Sequence, residues 1–198
     1  MKEMSVDLSK GYEQMKKHFG EVRQLGFVVR DIGASLDYWI HSLGVGPFFY
    51  LDHVDSKGFM YKGTPSPVTV SIALAQAGSL QIEFIQQHND APSMYRDFLE
   101  TGQEGLHHIA YWSEYFDRDL ERLLSMGHRV GQSGGVGKDG RFVYFMPDTR
   151  TGTIIELSEI SGRKGAFFKY IANAAEQWDG SEPIRYTTQS IRGDSKSE

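Results

Sequence analysis

The sequence predicts an α+β fold: two tandem β-α-β-β-β modules forming one concave mixed sheet, followed by a C-terminal helix. Two observations predict it. Short apolar stretches bounded by turn residues read as strands, and longer stretches with apolar residues at helical spacing read as helices. The order strand, helix, three strands then occurs twice, and the two helix endings correspond, Leu36…Leu43-Gly44 against Leu120…Met126-Gly127. An internal repeat of this size outranks any single local assignment.

The elements follow in order. Residues 1–20 form a polar N-terminal extension, with a short helix over Leu8 to Met15. The first module spans residues 21–90. Val22 to Val29 is a strand, after which Asp31 caps a helix that runs to Leu43 and stops at Gly44. Ile32, Leu36, Trp39, Ile40 and Leu43 make its apolar face. Gly46 to Leu51 is a second strand with Pro47 at its entry. Val68 to Ala75 and Leu80 to Ile85 are the third and fourth, joined by a turn at Gln76 to Ser79. Residues 91–103 link the modules, with a helix over Ala91 to Thr101.

The second module spans residues 104–160. Leu106 to Trp112 is a strand, Phe116 to Met126 a helix, and His128 to Gly131 a short strand. Gln132-Ser133-Gly134-Gly135-Val136-Gly137 reads as a glycine-rich loop. It lacks the Lys-Ser/Thr pair and the following helix of a phosphate-binding loop. Arg141 to Met146 and Thr153 to Ser158 close the module, with Pro147-Asp148 starting the turn between them. In residues 161–198, Gly165 to Ala175 forms an apolar-faced helix, and the chain after about Arg185 reads as disordered.

Composition narrows the function. The 198 residues, 39% hydrophobic and 24% charged, suit a soluble globular chain with a real core. A net charge of -5 argues against a nucleic-acid partner. The absence of cysteine excludes disulfides, thiolate metal sites and a cysteine nucleophile. No stretch has the length and apolarity of a membrane helix, and residues 1–17 are too polar for a signal peptide, so the expected location is the cytoplasm.

Four residues occupy matching places in the two modules. Gln24 and His108 each open a short apolar stretch within a strand, and Glu83 and Glu156 each end one. Residues two apart in a strand share a face. If these faces line one concave sheet, two carboxylates meet in a partly apolar cup, where they repel and lose hydration. A divalent cation removes that penalty. One imidazole, two carboxylates and an amide oxygen suit Zn, Mn, Ni, Co or Mg.

Gln24-Leu25-Gly26-Phe27-Val28-Val29-Arg30-Asp31, Leu36-Asp37-Tyr38-Trp39…Leu43-Gly44, Gly105-Leu106-His107-His108-Ile109-Ala110 and Ile154-Ile155-Glu156-Leu157 resemble the vicinal oxygen chelate superfamily over residues 21–160. That superfamily includes glyoxalase I, methylmalonyl-CoA epimerase, extradiol dioxygenases and bleomycin-resistance proteins. The resemblance implies metal ligands at Gln24, Glu83, His108 and Glu156, with Zn, Ni, Co or Mn as the metal. Phe145-Met146-Pro147-Asp148…Glu156 is similar to the epimerase branch, which has histidine at the position of Gln24. The ligand set itself is similar to eukaryotic glyoxalase I, whose glutathione-binding arginine and asparagine are replaced here by Val28 and Gln87.

The resemblance implies an isomerase, epimerase or lyase that transfers a proton next to a metal-bound carbonyl through an enolate or enediolate. Glu156 is then base and ligand, and Glu83 ligand or second base. Tyr50, Tyr111, Trp112 and Tyr144, with Phe48, are candidates to line the cup against a flat carbonyl substrate. Arg141 and Lys138 are candidates to hold an anionic group. Two alternatives stand beside this reading: a metal-free drug- or metabolite-sequestering protein, and a ring-cleaving dioxygenase. A homodimer is also implied by the resemblance.

Overall fold

In the computed structural model, residues 20–55, 57–136, 140–147 and 152–187 are described. The strands are β1 (Val22–Val28), β2 (Phe48–Asp55), β3 (Lys57–Tyr61), β4 (Thr64–Pro65), β5 (Thr69–Ala77), β6 (Leu80–Gln87), β7 (Gly105–Ser113), β8 (Val130–Gly135), β9 (Arg141–Phe145), β10 (Ile154–Glu159) and β11 (Ile184–Tyr186). The helices are α1 (Ile32–His41), α2 (Met94–Glu100), α3 (Phe116–Ser125) and α4 (Arg163–Glu176). The strands form one sheet in the order β11-β2-β5-β6-β1-β7-β10-β9-β8-β3-β4.

The repeat is visible in that order. One half contributes β2-β5-β6-β1 and the other β7-β10-β9-β8, with β1 antiparallel to β7 at the junction. In both halves the first strand runs parallel to the last, β1 to β6 and β7 to β10. Two of the helices, α1 and α2, start at side-chain caps. Asp31 accepts a hydrogen bond from the Ala34 amide at 3.0 Å, and Ser93 accepts one from the Arg96 amide at 2.9 Å.

Both faces of the sheet are covered, which sorts the side chains. On the convex face α1 buries Ile32, Leu36 and Ile40 against Phe48, Ala73, Ala75, Ile82 and Phe84. There too α3 buries Phe116 and Leu123 against Val143, Phe145 and Leu157. On the concave face, Val70, Ile85, Phe142, Tyr144 and Ile154 form a cluster with Met94 and Tyr95 of α2. The helix α4 lies over the same face, with Phe168 and Ile171 buried against Phe49 and Leu74.

Three features depart from the sequence reading. The hairpin β3–β4 pairs with β8 of the other half, although only Ser56 separates β3 from β2. The chain thus passes from one margin of the eight repeat-derived strands to the other within a single residue. Asp55 and Lys57 lie within about 7 Å of each other, so the sheet curls strongly. Next, residues 132–135 of the glycine-rich stretch continue the strand begun at Val130, paired with β9 and β3. Glycine serves close approach there: a Cβ on Gly134 would meet the Phe142 ring at 2.8 Å, and one on Gly131 the Met94 sulfur at 2.6 Å. Finally, Ile184–Tyr186 pairs in parallel with β2 instead of trailing away. The expected helix over residues 8–15, Lys138 and Asp148 lie outside the described residues.

Candidate metal centre

Register places the predicted ligands together. Gly26 pairs with His108 on one side and Glu83 on the other. Ala110, two residues along β7 from His108, pairs with both Gln24 and Glu156. All four side chains therefore rise from neighbouring strands onto the concave face. His108 Nε2 lies 3.0 Å from Glu156 Oε2 and 3.4 Å from Glu83 Oε2. One ligand atom from each of these three residues falls within 4.8 Å of the other two.

The space for the imidazole is created by a missing side chain. A Cβ on Gly26 would sit 1.8 Å from His108 Cε1 and 2.1 Å from Nε2. No other residue type at position 26 leaves the ring where it is.

The orientation of His108 follows from its neighbour. The register between β1 and β7 slips by one residue after His108, a bulge that turns His107 to the same side. His107 Nε2 is 3.2 Å from the Met94 carbonyl, and a carbonyl only accepts, so the proton sits on Nε2. Burial, with the charge of His108 adding to it, pushes His107 down to about 3, so it is neutral. Its Nδ1 is then an acceptor, 3.1 Å from His108 Nδ1, which donates. This relay leaves His108 Nε2 as the atom that faces the carboxylates.

That atom and Glu156 Oε2 are both buried, and among the described residues neither has a hydrogen-bond partner. They lie 3.0 Å apart as an ion pair. Burial lowers the His108 pKa, but the facing Glu156 and Glu83 outweigh it and raise it to about 9. Burial raises the Glu156 pKa, and His108 reverses the direction to a net lowering. A divalent cation fits this set: it would take the orphaned lone pairs and replace the imidazolium proton.

Gln24 is fully buried beside the three, and its Nε2 donates to Gln81 Oε1 at 2.7 Å. Among the described residues Gln81 Nε2 has no hydrogen-bond partner. The two amides form a held pair, in which Gln81 plays a part that no repeat signal announces.

The hollow in front of these residues holds about 690 Å³ not filled by atoms, part of it open to solvent. Its walls are mostly apolar, from β5, β6, β9 and α4, with Glu83 and Glu156 at the floor. Tyr144 lines it, with its ring centroid 4.7 Å from that of His108, and its hydroxyl accepts a hydrogen bond from Tyr95 at 3.1 Å. Burial holds both phenols well above their ordinary range. Trp112 is on the concave face beneath α4, packed on Phe168 at 4.8 Å.

The other candidates are not brought to the hollow. Tyr50 faces α1 on the convex side and meets Tyr186 edge-on, and Phe48 is buried in the same layer. Tyr111 pairs with Leu157, which packs under α3, so it also points outward. Arg141 is bound by Glu159 at 2.8 Å and Asp117 at 2.7 Å and lies over the Phe116 ring, again outside. The physical reason is common to these residues: strand alternation sends each to the face opposite its neighbour on the concave side. Lys164 of α4, by contrast, lines the hollow and was not among the candidates.

The profile of the glyoxalase/bleomycin resistance protein/dioxygenase superfamily matches residues 23–145. The chain belongs to this superfamily. An uncharacterized protein, YqjC of Bacillus subtilis (strain 168), is 29% identical over 117 residues, 57% of this chain and 81% of that protein. Among solved structures, a hypothetical protein from Bacillus halodurans C-125 aligns with TM-score 0.54 and 20% identity over 70% of this chain and 93% of its own. The methylmalonyl-CoA epimerase from Mycobacterium tuberculosis aligns with TM-score 0.53 and 18% identity over 76% and 93%. At such identities these two structures show the shared superfamily fold. Among the described residues, no helix is long and apolar enough to cross a membrane.

Proposed function

We propose that this superfamily member is a metal-dependent isomerase, epimerase or lyase that moves a proton at a carbon next to a carbonyl group. One observation carries the reading: His108 Nε2 and Glu156 Oε2 are buried, 3.0 Å apart and, among the described residues, without hydrogen-bond partners. A buried ion pair whose facing atoms make no hydrogen bond is a costly arrangement, and a site built to hold a cation explains why the fold tolerates it. The M. tuberculosis epimerase, which shares this fold, supports a proton-transfer chemistry by analogy.

His108, Glu156 and Glu83 would hold the ion, with Gln24 beside them as a neutral fourth ligand. The bound cation would supply Lewis-acid polarisation of a carbonyl oxygen. The remaining work belongs to the chain. The apolar walls exclude water and admit a carbonyl compound. Glu83, partly buried, and Glu156, fully buried, are the carboxylates that line the hollow. Either oxygen not engaged by the cation can take a proton from a neighbouring carbon and return it. Tyr144, held by Tyr95, packs the imidazole in place.

The test is metal content by mass spectrometry on untagged protein beside a His108→Ala/Glu156→Ala double variant. It is followed by solvent-deuterium exchange on α-hydroxy ketones, thiohemiacetals and acyl-thioester epimers. About one Zn, Ni, Co or Mn per chain, lost in the variant, with exchange at a carbon adjacent to a carbonyl, supports the reading. No metal after reconstitution refutes it and favours the sequestering alternative; iron favours the dioxygenase.

A further inference from the structure

Among the described residues that line the hollow, Lys164 is the one cation, and it comes from outside the repeat. It sits in the first turn of α4, where a positive charge opposes the helix dipole. Nothing in the making of that helix calls for it. Its Nζ donates to Ser158 Oγ at 2.6 Å and, among the described residues, makes no ion pair. The Phe142 and Phe168 rings stand 5.8 and 5.7 Å away. Burial pulls its pKa down from the ordinary value, and the more distant Glu156, Glu83 and Glu159 offset only part of that.

The position is firmly held. Phe168 packs on Trp112, Phe167 meets Phe49 edge-on at 5.8 Å, and Ile171 is fully buried. Gly165 lets the helix press onto the preceding chain, since a Cβ there would lie 2.0 Å from the Ile160 carbonyl oxygen.

We propose that Lys164 is the anion-recognition residue of the hollow and selects carbonyl substrates that carry one negative charge. This rests on the metal-centre reading above. With a divalent cation bound and His108 neutral, Glu83 and Glu156 cancel the ion, and Lys164 remains as one uncompensated buried charge. An unpaired buried charge is unfavourable. A monoanionic ligand brings the hollow to neutrality, a neutral one leaves the excess, and a dianion overshoots.

The test uses full-length protein loaded with Co(II), in the wild type, Lys164→Gln and Lys164→Arg. Calorimetry measures binding of 2-oxo-4-phenylbutanoate and of its uncharged methyl ester. The wild type is expected to prefer the acid by about tenfold or more, the size of one hydrogen bond to a charged group. Lys164→Gln is expected to equalise the two ligands and Lys164→Arg to retain a preference, with cobalt per chain unchanged throughout. An acid preference that survives in Lys164→Gln overturns the proposal, because the metal alone then selects the anion. A cobalt-loaded wild type without preference overturns it too, whether or not the variants fold. If the wild type takes up no cobalt, the metal-centre reading fails, and the charge count built on it fails with it.

Discussion

Replacing Gly26 with alanine tests the centre without touching any ligand. The added Cβ would lie 1.8 to 2.5 Å from three atoms of the His108 ring. The ring has little room to yield. Its side chain is fully buried, Tyr144 packs on it at 4.7 Å between centroids, and His107 holds its Nδ1 at 3.1 Å. Overpacking of this kind costs roughly 1–3 kcal/mol. In a domain of this size that lowers Tm by about 2–4 °C per kcal/mol. Displacing Nε2 by even part of an ångström also spoils the three-atom cluster, and perturbing a ligand's support typically weakens metal binding by about 10- to 100-fold. Differential scanning calorimetry with and without excess Zn separates the two effects. The apo-protein melting point should fall by several degrees, and the metal-induced rise, which grows as RT ln(1 + [L]/Kd), should shrink by about 1–3 kcal/mol. A Gly26→Ala protein that melts like the wild type and shows the full metal-induced rise would refute the argument that the glycine makes room for the imidazole.

Other outcomes follow from the same geometry. Because the carboxylates raise His108 to about 9 in the absence of metal, a cation must displace its proton below that pH. Apparent metal affinity should fall about tenfold per pH unit below 9, and calorimetry in buffers of different ionisation enthalpy should detect close to one proton released per ion at pH 7. His107→Leu removes the acceptor for His108 Nδ1–H and should weaken Co(II) binding by about 10- to 100-fold, while His107→Asn, which keeps an acceptor, loses less; equal affinity in all three proteins would sink the relay. Glu159 is held down to about 2 by Arg141, the larger influence, against the raising effect of burial. Its folded pKa is below the ordinary 4.5, so its contribution is present above pH 4.5 and lost as pH falls toward 2. Glu159→Gln should therefore cost roughly 1–2 kcal/mol at pH 7 and much less near pH 2, measured by urea denaturation. Equal destabilisation at both pH values would refute the linkage.

Much of this arrangement was legible before any coordinates. The recurrence of strand, helix and three strands, with Gly44 and Gly127 stopping the helices, identified the two halves. The ends of four apolar runs located Gln24, Glu83, His108 and Glu156, because in a repeat the corresponding residues must rise from corresponding strands. The glycine-rich stretch was misread for an equally local reason. Glycine signals either a turn or a close approach, and the Phe142 ring that rests on Gly134 comes from another strand.

What only the tertiary structure decided is which face each strand turns inward and what reaches the hollow from far along the chain. Alternation puts Tyr144 with Phe142 on one face and Arg141 with Val143 on the other, but it does not say which face is concave; curvature and the cover of α1 and α3 settled that. It sent Tyr50, Tyr111 and Arg141 outward and kept Tyr144. The bulge at His107 broke alternation and created the tautomer relay. Lys164 lies beyond the repeat, so no internal comparison pointed to it, and only the packing of α4 across the concave face carried it to Ser158. Sequence periodicity is a local constraint and determined the elements and the polar residues at matching places in them; the contents of the hollow depend on contacts between distant segments, which periodicity does not encode.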